Sequence, residues 1–304
     1  MIVPKYIQTN FSLSSIINYK VGGYAQYFCM PSNLSHLILA KEFAQINNLP
    51  IIIIGCGTNL LVSDSGIKGL VIYLGSKIGC KIEELNMISN DRFLKISSYS
   101  SKAELLDYSA INELTGLEFS AGIPGTVGGG IFMNAGTKWG SYSSCLYKVG
   151  FITQDNQYQE VSSEELSLGY RSNNSSLLKS GSIIWDVTFK LQKSSREKIE
   201  QKINEILSYR GMKQPLLYPN CGSVFKNPPK NISELGAGRL IERSNLKGKK
   251  IGGAQVSLKH ANFIINDGSA TAKDVFDLIK HVQEVVFKNF NIHLQKEVIL
   301  LGKF

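Results

Sequence analysis

The stretch GIPGTVGGGIFMNAG, residues 122–136, places six glycines in fifteen positions. Fixing a glycine loses more conformational entropy than fixing any other residue, so a run this rich needs a reason. Gly122, Gly125, Gly128, Gly129 and Gly130, with Pro124 holding one φ angle, read as a loop with little side-chain bulk. Thr126 sits inside it, and polar Asn134 and Gly136 close it. One reading is a glycine-rich crossover in a β-rich segment. The other is a backbone cradle whose bare amide N–H groups meet the oxygens of a pyrophosphate.

Upstream, IIIIGCGTNLLVSDSG (51–66) reads as a buried strand opening into Gly55-Cys56-Gly57-Thr58-Asn59-Leu60. Leu60 occupies the sixth position, so this is not a dinucleotide-binding GxGxxG, and no GK[ST] follows to make a P-loop. By itself it is a tight turn. Paired with the downstream cluster, it suits an extended dinucleotide gripped from two sides.

The chain has 304 residues and a formal net charge of +9. That length allows one large or two ordinary domains with a well-buried core. The charge reads either as solubility or as an anionic ligand, and of ligands a polyanionic small molecule fits better than nucleic acid, because the lone basic cluster, KGKK at 247–250, has no interleaved aromatics. Cys29, Cys56, Cys80, Cys145 and Cys221 are scattered and odd in number, as expected for reduced thiols in a cytoplasmic protein. His36, His260, His281 and His293 lack metal-ligand spacing, so no metal is expected. MIVPKYIQTN has no apolar h-region, so no signal peptide is expected. The longest apolar run, 49–55, is too short to span a bilayer.

Periodicity predicts helices over 33–47 with an Asn33 cap, from a Ser101/Glu104 capping box to Gly116, from about 195 to 209, over 233–244, and from TAKD (271–274) onward. Strands are predicted at 51–54, 70–74, 93–96, 149–154 and 182–192. In the last, Ile183, Trp185, Val187, Phe189 and Leu191 share one face. The fold class is α+β in two functional halves. The boundary falls at 192–198, where a strand gives way to a charged helix.

Several segments now make a pattern: YKVGGYAQ (19–26), GCGTNLLVSDSG (55–66), the 122–136 stretch, GYRSN (169–173), KQP (213–215), GSVFKNP (222–228), GAGRLIE (236–242) and EVILLG (297–302). In this order they resemble the UDP-N-acetylenolpyruvoylglucosamine reductase family, flavoenzymes that make UDP-N-acetylmuramate for peptidoglycan. The resemblance covers nearly the whole chain. It implies an FAD-binding fold of the p-cresol methylhydroxylase (PCMH) and vanillyl-alcohol oxidase type over residues 1–193, in two subdomains split near 80. An α+β substrate-binding domain over 194–304 follows. It implies FAD contacts from Gly22 and Gly23, from Gly55 to Leu60, and from Gly122, Pro124, Gly125, Thr126, Gly128, Gly129, Asn134 and Gly136. NADPH is the implied reductant, and Lys213 and Asn227 match positions that touch the substrate. Arg171 and Ser223 lie only 52 positions apart, which resembles the shorter class that lacks an inserted loop with a substrate-binding Tyr. Departures from the family pattern are Cys56, Tyr24, Cys221, Gln295 and GTKWG at 136–140.

The resemblance implies a catalytic trio of Arg171, Ser223 and Glu297, and the chemistry supports it. Hydride addition to an enolpyruvyl C=C leaves charge beside the carboxylate, as an enolate. A guanidinium fork can hold that carboxylate and stabilise the charge. Glu297 can polarise the same group if burial keeps it protonated. A positioned hydroxyl, Ser223, is acid enough to protonate so basic a carbon. Two alternatives remain on this reading: another FAD oxidase on the same fold, using O₂, and a non-catalytic nucleotide-sugar-binding protein.

Overall fold

The computed structural model describes residues 2–75, 81–85, 90–179 and 181–304. The expected subdomain split near 80 and Cys80 lie outside these residues. A first sheet runs in the order Ile7–Ser12, Tyr24–Cys29, Ile67–Tyr73, Ile51–Ile54. Its first pair is antiparallel and the other two pairs are parallel. Parallel neighbours need a crossover, and helix α1 (Leu34–Ile46) supplies one between Tyr24–Cys29 and Ile51–Ile54. Asn33 Oδ1 accepts the His36 N–H at 2.9 Å, starting the helix where its sequence predicts.

The second sheet is antiparallel, in the order Tyr158–Ser162, Leu146–Ile152, Ile183–Lys193, Asp91–Ser97, Ile82–Glu84. Its long central strand departs from the predicted alternation. Gly150 pairs with Asp186 but Phe151 pairs with Ile184, so Trp185 is a bulged extra residue. The two sides of the bulge are out of phase. Ile184, Val187, Phe189 and Leu191 enter the core of this sheet, while Ile183 and Trp185 face the core shared with α1.

Helix α2 (Lys102–Ile111) carries the predicted Ser101/Glu104 capping box but ends five residues before Gly116, because Leu114–Thr115 pairs with the central strand. The glycine cluster is not a loop. Val127–Phe132 forms helix α3, with Thr126 Oγ1 accepting the Gly129 N–H at 3.2 Å. Glycine in a helix costs about 1 kcal/mol relative to alanine, and packing overrides that preference here. A methyl on Gly128 would stand 2.9 Å from Ser98 Cβ, and one on Gly130 2.7 Å from the Tyr142 ring.

Helix α4 (Ser176–Lys179) is short, and α5 (Arg196–Lys213) runs past its predicted end. Helix α6 (Ala237–Arg243) is shorter than predicted, and α7 (Ala272–Phe290) begins at a Thr271/Asp274 capping box. Helix α7 covers a small antiparallel sheet, Lys250–Ile251, Ala254–Val256 and Ile264–Asn266, and α6 packs against α7. Leu13 to Tyr73 share one continuous core with Cys221 to Val298, whereas Ile206 of α5 joins the core of the second sheet. Strand Ile299–Leu301 pairs in parallel with Leu60–Val62, binding the last segment to the first lobe.

Candidate active site

One cleft of 1360 Å³ runs between the two larger sheets and opens onto the C-terminal segment. A single drug-sized ligand typically occupies about 300–1,000 Å³, so this volume suits a dinucleotide with a second molecule beside it. Both glycine segments line it: Gly55 through Leu60 on one wall, and Gly122, Pro124, Thr126, Gly128, Gly129 and Gly136 on another. Arg171, Ser223 and Glu297 line the same cleft.

The two segments touch because each sets a glycine against a threonine side chain of the other. A methyl on Gly55 would lie 2.6 Å from Thr126 Oγ1, and one on Gly125 2.8 Å from Thr58 Oγ1. Part of the reason for the glycines is therefore room for a threonine side chain of the other segment, and Gly129 alone in α3 is an exposed glycine turned to the cleft. Gly22, Gly23, Gly125 and Asn134 do not line the cleft. A methyl on Gly22 would meet Val62 Cβ at 2.9 Å, and Gly23 N–H donates to Ser63 O at 3.0 Å, so this pair holds the strand after the first cradle. Buried Asn134 accepts the Ser143 N–H at 3.0 Å and donates to Gly169 O at 2.8 Å.

Arg171 occupies a two-residue turn between Leu168–Gly169 and Ser172–Asn173, with φ +50°. A non-glycine residue held there carries backbone strain that neighbours must overcome. Three hydrogen bonds do so. Nε–H donates to Glu297 Oε1 at 2.8 Å, Nη1–H to Asn134 O at 3.3 Å, and Nη2–H to Gly136 O. One N–H on each Nη is left for a ligand.

Glu297 is set by pairing of two distant segments. Its N–H donates to Val224 O at 2.8 Å, Lys226 N–H donates to Gln295 O at 2.8 Å, and Asn59 Nδ2 donates to Glu297 O at 3.0 Å. The same pairing fixes Ser223, next to Val224. Asn262 clamps that stretch by accepting the Phe225 N–H and donating to Phe225 O. Among the described residues the Ser223 hydroxyl has no protein partner. Burial raises the Glu297 carboxyl above the usual range, with Arg171 and then Lys226 pulling the other way.

The cleft wall is basic. Lys20, Lys41, Lys102, Lys138, Arg171 and Arg210 line it, against Glu297 as the one carboxylate among the described lining residues. Together with the glycine contact, this donor set fits the diphosphate of FAD. No group of three or more His, Cys, Asp or Glu among the described residues is placed to hold a metal.

Two expected substrate contacts lie elsewhere. Lys213 is exposed at the end of α5 and does not line the cleft. Asn227 Oδ1 accepts the Ala237 N–H at 3.0 Å, capping α6, and it too is outside the cleft. Instead α5 sends in Arg210, whose Nη2 donates to Gly122 O at 2.9 Å, and Gln214, the residue just past the helix, also lines the cleft. Sequence reasoning missed Arg210 and Lys102. The only signal for Arg210 was its place one helical turn before Lys213. Lys102 had none beyond following a cap residue.

Comparison with known proteins bears on these features. Residues 25–162 match the family model described as "FAD binding domain". Residues 214–301 match "UDP-N-acetylenolpyruvoylglucosamine reductase, C-terminal domain". A relative named UDP-N-acetylenolpyruvoylglucosamine reductase, from Lactiplantibacillus plantarum, is 40% identical over 98% of this chain and 94% of its own. One of the same name from Latilactobacillus sakei is 38% identical over the same shares. The crystal structure of UDP-N-acetylenolpyruvylglucosamine reductase from Thermus caldophilus superposes with a TM-score of 0.79 at 30% identity, covering 97% of this chain and 98% of that one.

Proposed function

The chain belongs to the UDP-N-acetylenolpyruvoylglucosamine reductase family, and on that premise we propose that it reduces the enolpyruvyl group of UDP-N-acetylglucosamine enolpyruvate to give UDP-N-acetylmuramate for peptidoglycan, with FAD as cofactor and NADPH as reductant. FAD, when bound, supplies the two-electron hydride chemistry. The segments from Gly55 to Leu60 and from Gly122 to Gly136 hold it. The substrate lies toward the C-terminal segment. These soluble nucleotide reactants make the cytoplasm the site of action, and no helix among the described residues is long and apolar enough to cross a membrane.

Arg171 takes the substrate carboxylate with its two uncommitted N–H groups and stabilises the charge that develops beside it. Glu297 first orients the guanidinium through Nε. An arriving carboxylate puts a second negative charge nearby, which favours the protonated form of Glu297 beyond what burial does. Protonated, Glu297 donates a hydrogen bond to the forming enolate. Ser223 Oγ–H then gives its proton to the carbon bearing the carboxylate, and water in the cleft reprotonates the alkoxide. The observation that carries this reading is that Arg171, Ser223 and Glu297, drawn from sites far apart in sequence, line one cleft with both glycine segments.

Ser223→Ala tests it. Bleaching of the yellow protein by NADPH should survive, while turnover of the enolpyruvyl substrate falls ~10²-fold or more. Turnover at the wild-type rate would remove Ser223 from the mechanism. Parallel double-reciprocal lines are expected, since both reactants would use one cleft in turn.

A further inference from the structure

The least explained group in the cleft is Lys102. It is the first residue of α2, 5% exposed, and lines the cleft between the two glycine segments. Nζ donates to Pro124 O at 3.0 Å. It stands 3.5 Å from the point a methyl on Gly125 would occupy, and that point is 2.8 Å from Thr58 Oγ1 of the other segment. An ammonium has three donors, and one is satisfied here by the protein.

Among the described residues, the groups facing it offer no counter-charge. Cys56 comes from the first glycine segment, Arg171 from the hairpin turn and Arg210 from α5. Tyr142, across Gly130, is a buried phenol whose pKa burial raises far above neutrality. On its own helix, the Glu104 carboxylate is turned to the Ser101 N–H at 2.8 Å. Burial pulls Lys102 down to about 8; Cys56 opposes this, and Arg171 and Arg210 add to it. A buried, unpaired ammonium is destabilising, and an apolar side chain of equal length would not be. The arrangement makes sense if an anion arrives.

We propose that Lys102 is the counter-cation of the FAD diphosphate, a buried charge that the glycine segments leave for the ligand to neutralise. The proposal rests on the FAD-binding reading above. It follows that FAD binding takes up protons at pH values near and above that of Lys102 half-titration in the apoprotein, because the diphosphate holds Lys102 charged. It also follows that affinity weakens as pH climbs past that point.

The test uses apoprotein of the wild type, Lys102→Met and Lys102→Arg, titrated with FAD and with riboflavin, which has no phosphate, by flavin fluorescence. Calorimetry at pH 6.5 and 8.5 in buffers of different ionisation enthalpy reads proton uptake. Losing a charge-assisted contact should weaken FAD binding by about 10- to 100-fold in Lys102→Met. Lys102→Arg should retain more affinity than Lys102→Met. Riboflavin binding should be unchanged. The wild type should take up a fraction of a proton at pH 8.5 and almost none at 6.5, and Lys102→Met none at either. The apoprotein melting temperature of Lys102→Met should equal or exceed the wild type, which a purely structural lysine would not allow. FAD binding by Lys102→Met within twofold of wild type overturns the proposal. So does an equal loss for riboflavin, which would move Lys102 to the ring, or absence of proton uptake by the wild type at pH 8.5. Failure of the wild type to bind FAD would instead sink the cofactor assignment.

Discussion

The contact between Gly55 and Thr126 makes a quantitative demand. Gly55→Ala puts a methyl 2.6 Å from Thr126 Oγ1, but 3.6 and 3.7 Å from Thr126 Cγ2 and Cβ. Gly55 does not have a positive φ, so the strain comes from the one oxygen and not from the backbone. Overpacking of this kind typically costs about 1–3 kcal/mol. Thr126→Ala alone removes the cap on Gly129 N–H, at about 1 kcal/mol. In the double variant the new methyl meets only Cβ, at ordinary van der Waals distance. Its total should match Thr126→Ala alone, so the two changes should couple by about 1–3 kcal/mol in the rescuing direction. Urea unfolding of the three apoproteins measures this, and FAD titration should show the same rescue. Additivity within ~0.5 kcal/mol would mean the two glycine segments do not meet as described.

Arg171→Lys keeps a charge but loses the fork and the three-way anchoring, so kcat/KM should fall by roughly 10²–10³-fold with the flavin spectrum intact, measured in steady state. Glu297→Gln keeps the acceptor for Arg171 Nε but cannot titrate. Since the Glu297 pKa is raised and the proposed mechanism uses its acid form, wild-type activity should fall as pH rises through that pKa, and the Gln variant should lack this limb of the pH–rate profile. Lys102 is depressed to about 8 in the folded apoprotein, against about 10.4 unfolded. Between those values the unfolded chain holds more protons, so the Lys102 penalty is full below pH 8 and relieved toward pH 10.4. The stability advantage of Lys102→Met should therefore shrink over that window in thermal melts.

Local signals proved the most legible. The Asn33, Ser101/Glu104 and Thr271/Asp274 caps each depend on residues three apart, and each starts its helix where read. The FAD-binding fold and the C-terminal family were readable because short glycine motifs stand in a long fixed order. What depended on packing was not. The one-residue bulge at Trp185 reversed a clean alternation, and tight neighbours at Ser98 and Tyr142 demand Gly128 and Gly130 within a helix. The cleft side of α5 presents Arg210, not Lys213, because the phase of a helix against a cleft is a tertiary fact. The proposed role of Lys102 rests on its burial and on the lack of a carboxylate among the described residues facing it, and neither is written in its neighbours along the chain.

The parallel pairing of Leu60–Val62 with Ile299–Leu301 has a temporal consequence. Asn59, at the rim of the first glycine turn, is pinned from both sides by residues 238 and 240 positions later: its side chain by Glu297 O and its carbonyl by Ile299 N–H. Domains commonly fold as they emerge during synthesis. Here the first lobe leaves the ribosome with its nucleotide grip unfinished, since the segment that braces it has not yet been translated. On the proposed role of this turn in holding FAD, flavin loading should be a late event in the life of the chain, and a nascent polypeptide stalled before residue 297 should emerge colourless however much flavin surrounds it.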